Sequence, residues 1–406
     1  MEHCTPIINC LACGSDDLDS TLDLGAQPLA NNFRKEVESQ EARYPLAVNR
    51  CKNCNHLQLT HVVDPKLIYE HYLYVSGTSN TYVQYMDWYA GFVREYFTHG
   101  DWMRNVLDIG CNDGSQLNSF KQKWRSCTYG VDPAENLFPL SKIKHKVTCG
   151  YWNKETASKI KVKFDVITSQ NAFSHIPNPL EYLELAAQYL TDKGKIFIST
   201  SQADMVLNGE FDTIYHEHIS YYNATSMREL AYRAGLFLID VVKTPIHGTS
   251  YIFVLSPKAM NTNRVDNIIA MEGVAGLNNP ETYSKWGKNV QSRLVDIAAS
   301  VAELQFQGYA VVGYGAAAKG MTLLNATNIH LDAVIDDNPL KQGTWCPGTD
   351  IPVVGSDYIK RIEDNQPVLF IPLAWNFYDE IKGKIKALRD KPQDRFMRYF
   401  PKVSLE

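Results

Sequence analysis

The sequence predicts an α/β fold in three parts, and three observations predict it. From Val106 to Thr200, short apolar runs alternate with stretches of helical periodicity, the order of a parallel sheet with crossover helices. A second run of this kind begins at Tyr309-Ala310-Val311-Val312-Gly313-Tyr314-Gly315 and occupies the last third. Ahead of both, residues up to about 65 are rich in Cys, Asn, Asp and Pro with only short apolar runs, so something other than an apolar core must organise them. The expected parts are a small cysteine-knuckle domain over 1–66, a central Rossmann-like domain over 67–257 and a C-terminal Rossmann-like α/β domain over 258–406.

Composition bounds the partners. With 406 residues, 45% hydrophobic and 21% charged, the chain is an ordinary globular protein able to bury several cores. A formal charge of -5 argues against a nucleic-acid surface. No basic stretch followed by an apolar run opens the chain, and no apolar run nears the roughly 18 residues of a membrane span. The expectation is a cytoplasmic protein with neither nucleic-acid nor membrane partners.

The elements follow in order. Cys10-x-x-Cys13 and Cys51-x-x-Cys54 predict a four-thiolate structural zinc site, because each turn places two sulfurs on one side and two turns complete a tetrahedron. Gly14 and Asn55 suit the turns that follow, and Cys4 is a spare thiol. Aromatic and apolar residues at helical spacing predict a helix over 80–97. Expected strands are Val106–Ile109, Cys127–Val131, Phe164–Thr168 and Lys195–Thr200; expected helices are Ser115–Trp124 and Pro179–Leu190. The polar stretch Pro257–Pro280 reads as a linker. A long helix from Glu281 to about Gln307 then leads into strands at Tyr309–Gly315, His330–Asp336 and Val368–Ile371.

Two turns carry the chemistry. At Asp108-Ile109-Gly110-Cys111-Asn112-Asp113-Gly114 a strand ends in glycines before a helix, so backbone can approach a ligand closely. The next strand ends at Asp132-Pro133, where a carboxylate can accept both ribose hydroxyls, at the spacing a βαβ unit requires. Such a site holds an adenosyl cofactor, and a dinucleotide stays open as an alternative. Gln170 and Asn171 follow a strand and are expected at the same ligand, with His175 in reach of a reacting centre.

Farther on, Tyr215-His216-Glu217-His218 concentrates titratable groups. Tyr215, Glu217 and His218 can converge whether the segment is extended or helical, and a carboxylate beside a histidine tunes its basicity. A metal site and a purely structural polar cluster are alternatives. In the last third, Gly313-Tyr314-Gly315-Ala316-Ala317-Ala318-Lys319-Gly320 suits a phosphate-bearing ligand with Lys319 as the cation. The following strand runs into Asp336-Asp337-Asn338-Pro339, able to bind ribose or to cap a turn, unless this is a non-binding scaffold.

Together these motifs resemble the sugar C-methyltransferases that use S-adenosylmethionine (SAM), three-domain enzymes that methylate a carbon of a nucleotide-linked 4-keto-deoxysugar. The resemblance rests on the paired knuckles, Val106–Gly114, Tyr215–His218, Gly313–Gly320 and Asp336–Gly343, and covers nearly the whole chain. It implies that Tyr215, Glu217 and His218 line the reacting centre with His218 as base, that His175 is a second active-site histidine, and that Tyr74 approaches the substrate. SAM would be held by Asp108, Gly110, Asn112, Gly114, Asp132, Pro133, Gln170 and Asn171. The last domain would hold the nucleotide end through Tyr314, Lys319 and Asp337, with methylation at C-3 and zinc purely structural. One departure stands out: many relatives read His-Gly-Gly-Ser and then Arg where this chain has His247-Gly248-Thr249-Ser250-Tyr251. The alternative is a SAM-dependent O- or N-methyltransferase acting on another small molecule or RNA.

Overall fold

A computed structural model describes the chain except residues 1–2, 38–40, 71, 73–74, 79, 99–100, 202–203 and 246–248. Its residues group into two compact units: 1–19, 49–203 and 219–279 in the first, and 20–48, 204–218 and 280–406 in the second. Neither unit is one stretch of the division at 66/67 and 257/258, which we keep as a proposed order of sequence modules.

The first unit is built on strands β1 (Asn105–Ile109), β2 (Cys127–Asp132), β3 (Lys146–Cys149), β4 (Phe164–Gln170), β5 (Leu190–Ser201), β6 (Phe237–Thr244) and β7 (Ser250–Ser256). They form one sheet in the order β6-β7-β5-β4-β1-β2-β3. Pairing is parallel from β5 to β3, whereas β7 runs antiparallel to both β5 and β6. The sequence predicted β1, β2, β4 and β5 and missed β3, β6 and this reversed strand. Only residues 245–249 separate β6 from β7, and a parallel pair needs a crossover of a dozen residues or more.

Period-two side chains give the sheet two buried faces. Leu107, Ile109, Ile167 and Ile198 meet Tyr182 and Leu183 of helix α3 (Pro179–Gln188) and Met227 and Leu230 of α4 (Ala224–Arg233). On the other face Val106, Val166, Phe197 and Ile252 meet Tyr89, Phe92 and Val93 of α1 (Asn80–Arg94) and Leu117 and Phe120 of α2 (Ser115–Trp124). The expected linker is not one: Asn263–Val274 forms a helix, α5. Val265 is fully buried, Ile268 and Ile269 pack on the core, and Glu272 accepts the Ala224 N–H at 2.9 Å, which caps α4.

The second unit contains α6 (Pro280–Phe306), then β8 (Ala310–Tyr314), α7 (Ala318–Thr327), β9 (Ala333–Ile335), β10 (Val353–Val354), β11 (Val368–Pro372), α8 (Tyr378–Leu388), β12 (Arg395–Arg398) and β13 (Ser404–Leu405). Its sheet order is β10-β9-β8-β11-β12-β13, parallel except for β13. Both sheets therefore reverse their strand order beside a central first strand, and in open α/β sheets ligands bind outside the carboxyl ends of strands at that point. Among the described residues, no helix is long and apolar enough to cross a membrane.

Candidate zinc, cofactor and catalytic residues

The thiol groups of Cys10, Cys13, Cys51 and Cys54 lie within 4.8 Å of one another, with Cys10–Cys54 at 3.6 Å and Cys13–Cys51 at 3.5 Å. Tetrahedral zinc with bonds of about 2.3 Å needs sulfurs about 3.8 Å apart, so the cluster fits zinc and leaves no open coordination position. Gly14 (φ +83°) and Asn55 (φ +57°) take the left-handed conformation that lets each knuckle fold back, with Gly14 N–H donating to Cys10 O and Asn55 N–H to Cys51 O. Arg233 donates to Ala12 O at 2.6 Å and Asn223 to Asn55 O at 3.0 Å, which ties both knuckles to α4. The zinc is structural.

At the glycine turn, Gly110 has φ +83°, and a Cβ there would sit 2.5 Å from Ala172 Cβ, so glycine is required twice over. Asn112 and Asn171 also have positive φ, which asparagine tolerates. The Asp132 carboxylate accepts Asn112 N–H at 2.7 Å and, across Pro133, Ala134 N–H at 2.9 Å. Asp108 is buried, and burial together with the nearby Asp132 charge pushes its carboxyl up to about 8. Gln116 donates to Met86 O, which leaves its oxygen to accept from Gln170; the Gln170 amide oxygen is then left over. Asp108 Oδ1, Gln170 Oε1 and Asn171 Oδ1 are buried acceptors with no hydrogen-bond partner among the described residues. Orphaned acceptors next to carboxylates fit a cationic, donor-rich ligand better than a diphosphate, which presents acceptors itself.

A short turn, Ser76–Thr78, docks on this loop: Ser76 N–H donates to Asn112 Oδ1 at 2.9 Å and Gly77 N–H to Asp113 Oδ2 at 2.9 Å. Tyr72 is pinned nearby by reciprocal bonds with Asn136, while Tyr74 lies outside the described residues, as do His247 and Gly248. His175 ends a single 3₁₀ turn, and its ring stacks on Tyr69 with centroids 5.5 Å apart and planes 11° from parallel. Burial holds its imidazole down to about 4. Tyr69 was not singled out from sequence; only its place in an aromatic-rich run hinted at it.

In the second unit, Tyr215–His218 is a turn closed by His218 N–H to Tyr215 O at 2.9 Å, neither strand nor helix. Tyr215 Oη lies 2.8 Å from His218 Nε2, and His218 Nδ1 lies 2.9 Å from Thr213 O. A carbonyl only accepts, so Nδ1 carries the proton and Nε2 is the basic nitrogen of the neutral ring. Glu217 Oε1 accepts from Asn31 Nδ2 at 2.6 Å, and His216 bonds Tyr44 O at 3.2 Å. Sequence reasoning missed Thr213 and Asn31, and no spacing rule links Asn31 to a residue 186 positions away.

Asp336 repeats within the second unit what Asp132 does in the first, accepting Ala316 N–H at 2.7 Å and Asn338 N–H at 2.8 Å. Asp337 accepts from Tyr314 Oη at 2.8 Å and pairs with Lys384 at 3.0 Å. Lys319 lies in the first turn of α7, with Nζ 5.2 Å above the Trp375 ring.

The sheet, glycine turn and four-thiolate cluster define a zinc-bearing methyltransferase of the Rossmann-like class. Three family models match the chain in series: a zinc binding domain over residues 10–69, a methyltransferase domain over 84–241 and a C-methyltransferase C-terminal domain over 245–401. The C-methyltransferase NovU of Streptomyces niveus is 29% identical over 392 residues, 93% of this chain and 91% of that protein. The ubiquinone biosynthesis O-methyltransferase of Coxiella burnetii is 25% identical over 169 residues, covering 38% of this chain and 72% of that one. Of these two, the likeness to the carbon methyltransferase extends through nearly the whole chain. The chain is thus similar to the SAM-dependent C-methyltransferases, with the three family models falling in this order along it.

Proposed function

We propose that the acceptor is a nucleotide-linked 4-keto-deoxysugar, methylated at C-3 after His218 removes the proton next to the ketone. The observation that carries this reading is the Thr213–His218–Tyr215 arrangement, because it supplies a base, and a carbon acceptor cannot attack a methyl group until a base has taken its proton. A C–H beside a ketone is acidic enough for an imidazole, since the anion left behind is an enolate, and a positioned base contributes roughly 10²–10⁴-fold. SAM, when bound, would supply its sulfonium methyl to the enolate carbon, with S-adenosylhomocysteine as the leaving group. Asp108, Gly110, Asn112, Gly114, Asp132, Pro133, Gln170 and Asn171 hold it, with Asp132 on the ribose.

Proton traffic follows from the hydrogen bonds. At rest Tyr215 donates to Nε2; as substrate enters, that hydroxyl turns aside and exposes the lone pair. Once Nε2 has taken the substrate proton it becomes a donor to Tyr215 Oη, and the tyrosine O–H is then free to donate to the enolate oxygen. Thr213 O keeps the Nδ1 proton throughout. His175, held near 4 by burial, stays neutral at pH 7 and suits hydrogen bonding to the sugar better than proton uptake. Glu217 and Tyr74 complete the reacting centre, Tyr314 and Asp337, with Asp336, hold the nucleotide end, and Lys319 contacts another part of the same substrate.

The test is hydrogen exchange in deuterated water. The native enzyme exchanges the α-hydrogen of its keto-sugar, and His218→Asn loses both exchange and methylation while binding SAM as before. Methylation of a hydroxyl or amine without exchange refutes the carbon reading. Exchange retained in His218→Asn but lost in His175→Asn moves the base to His175.

A further inference from the structure

Asp212 is fully buried, and its two carboxylate oxygens have different fates. Oδ2 accepts the indole N–H of Trp375 at 2.8 Å and lies 3.4 Å from the Tyr399 hydroxyl, which makes its better bond to Leu373 O at 2.8 Å. Oδ1 has no hydrogen-bond partner among the described residues. Lys319 Nζ, over the ring of the same Trp375, is also buried without a partner. Its charge acts on Asp212, yet the two form no ion pair within 4.0 Å. An ammonium and a carboxylate, each with unused bonding capacity and each out of water, would close on one another if nothing belonged between them.

The group that fits between them must accept from the ammonium and donate to the carboxylate. A phosphate oxygen or a ketone only accepts, so either would leave Asp212 Oδ1 unpaired, and a phosphate would also be repelled by it. A hydroxyl does both. We propose that Lys319 and Asp212 form a neutral bracket for a hydroxyl of the sugar, so that Lys319 reads the sugar and not the diphosphate. This rests on the reading of the substrate as a nucleotide-linked sugar.

The experiment uses the zinc-loaded full chain and calorimetry. UDP, dTDP and GDP are each compared with their glucosyl esters, and the tightest pair is carried into Asp212→Asn and Lys319→Met. Both variants are expected to bind the glucosyl ester about tenfold more weakly and the free diphosphate within twofold of the parent. Unchanged binding of the ester in both means that the bracket holds only water and overturns the inference while leaving the substrate reading intact. Equal weakening of ester and diphosphate in Lys319→Met overturns it in favour of a phosphate contact. Binding of none of the six probes defeats the substrate reading, and the inference with it. Asparagine keeps an acceptor for Trp375; should Asp212→Asn still fail to fold, Lys319→Met and Lys319→Arg decide the matter.

Discussion

The hydroxyl of Tyr215 and Nε2 of His218 lie 2.8 Å apart, with their rings 4.1 Å centroid to centroid. Tyr215 is half-buried and His218 is buried, so the tyrosine is the more accessible partner.

Tyr215→Phe therefore leaves the base in place and removes the donor that follows the proton to the enolate. A lost transition-state donor of this kind costs about 10²–10³ in kcat. Steady-state kinetics should show that loss in kcat with SAM affinity unchanged. A fall of less than threefold would mean that the tyrosine only packs against the imidazole.

Asp132 is expected to carry the ribose of SAM. Asp132→Ala should weaken binding of S-adenosylhomocysteine by about 10–100-fold, the range for one lost pair of charge-assisted hydrogen bonds. Calorimetry on the folded variant reads this directly. Unaltered affinity, or tighter binding of a nicotinamide dinucleotide by the parent, would remove Asp132 from the cofactor site.

The four cysteines should hold one zinc per chain that survives purification. Because the knuckles are anchored on α4 through Arg233 and Asn223, chelation should also lower the melting temperature of the first unit. Metal analysis of Cys51→Ser with Cys54→Ser is expected to show zinc lost. Stoichiometric zinc retained in that double variant would place the metal elsewhere.

His216 gives a pH prediction. It is buried beside the Tyr44 carbonyl, and burial holds its imidazole down to about 4, below its unfolded value near 6.5. Between those limits the unfolded chain binds a proton that the folded chain refuses, so stability falls as pH drops from about 6.5 to 4. The slope is at most about 1.4 kcal/mol per pH unit for this one group. Urea unfolding at pH 6.5, 5.5 and 4.5 should show a smaller loss in His216→Gln than in the parent. Parallel curves would mean that His216 does not titrate differently on folding.

How much of this was legible in the sequence varied with the range of the interaction. The knuckles, Ser115–Trp124, the strand ending at Asp132 and the long helix from Pro280 are local, and three- to twenty-residue patterns encode them: a CxxC turn, a 3.6 period, a glycine turn with its downstream acid. The sequence by itself therefore determined the central strands and helices of both sheets, the four-cysteine cluster and the class of cofactor turn. It also placed Tyr215 and His218 in one cluster.

The tertiary structure alone decided what those residues touch. It inserted β7 antiparallel between β5 and β6, and it made a helix of a stretch whose polar face hid a buried Val265. It set Thr213 O behind His218, and so fixed which nitrogen is basic, and it gave Glu217 to Asn31 across 186 positions. It also left Asp212 Oδ1 and Lys319 Nζ buried without hydrogen-bond partners among the described residues. Hydrogen-bond partners depend on distances of a few tenths of an ångström between segments far apart in the chain, and no periodicity along the chain records such a distance.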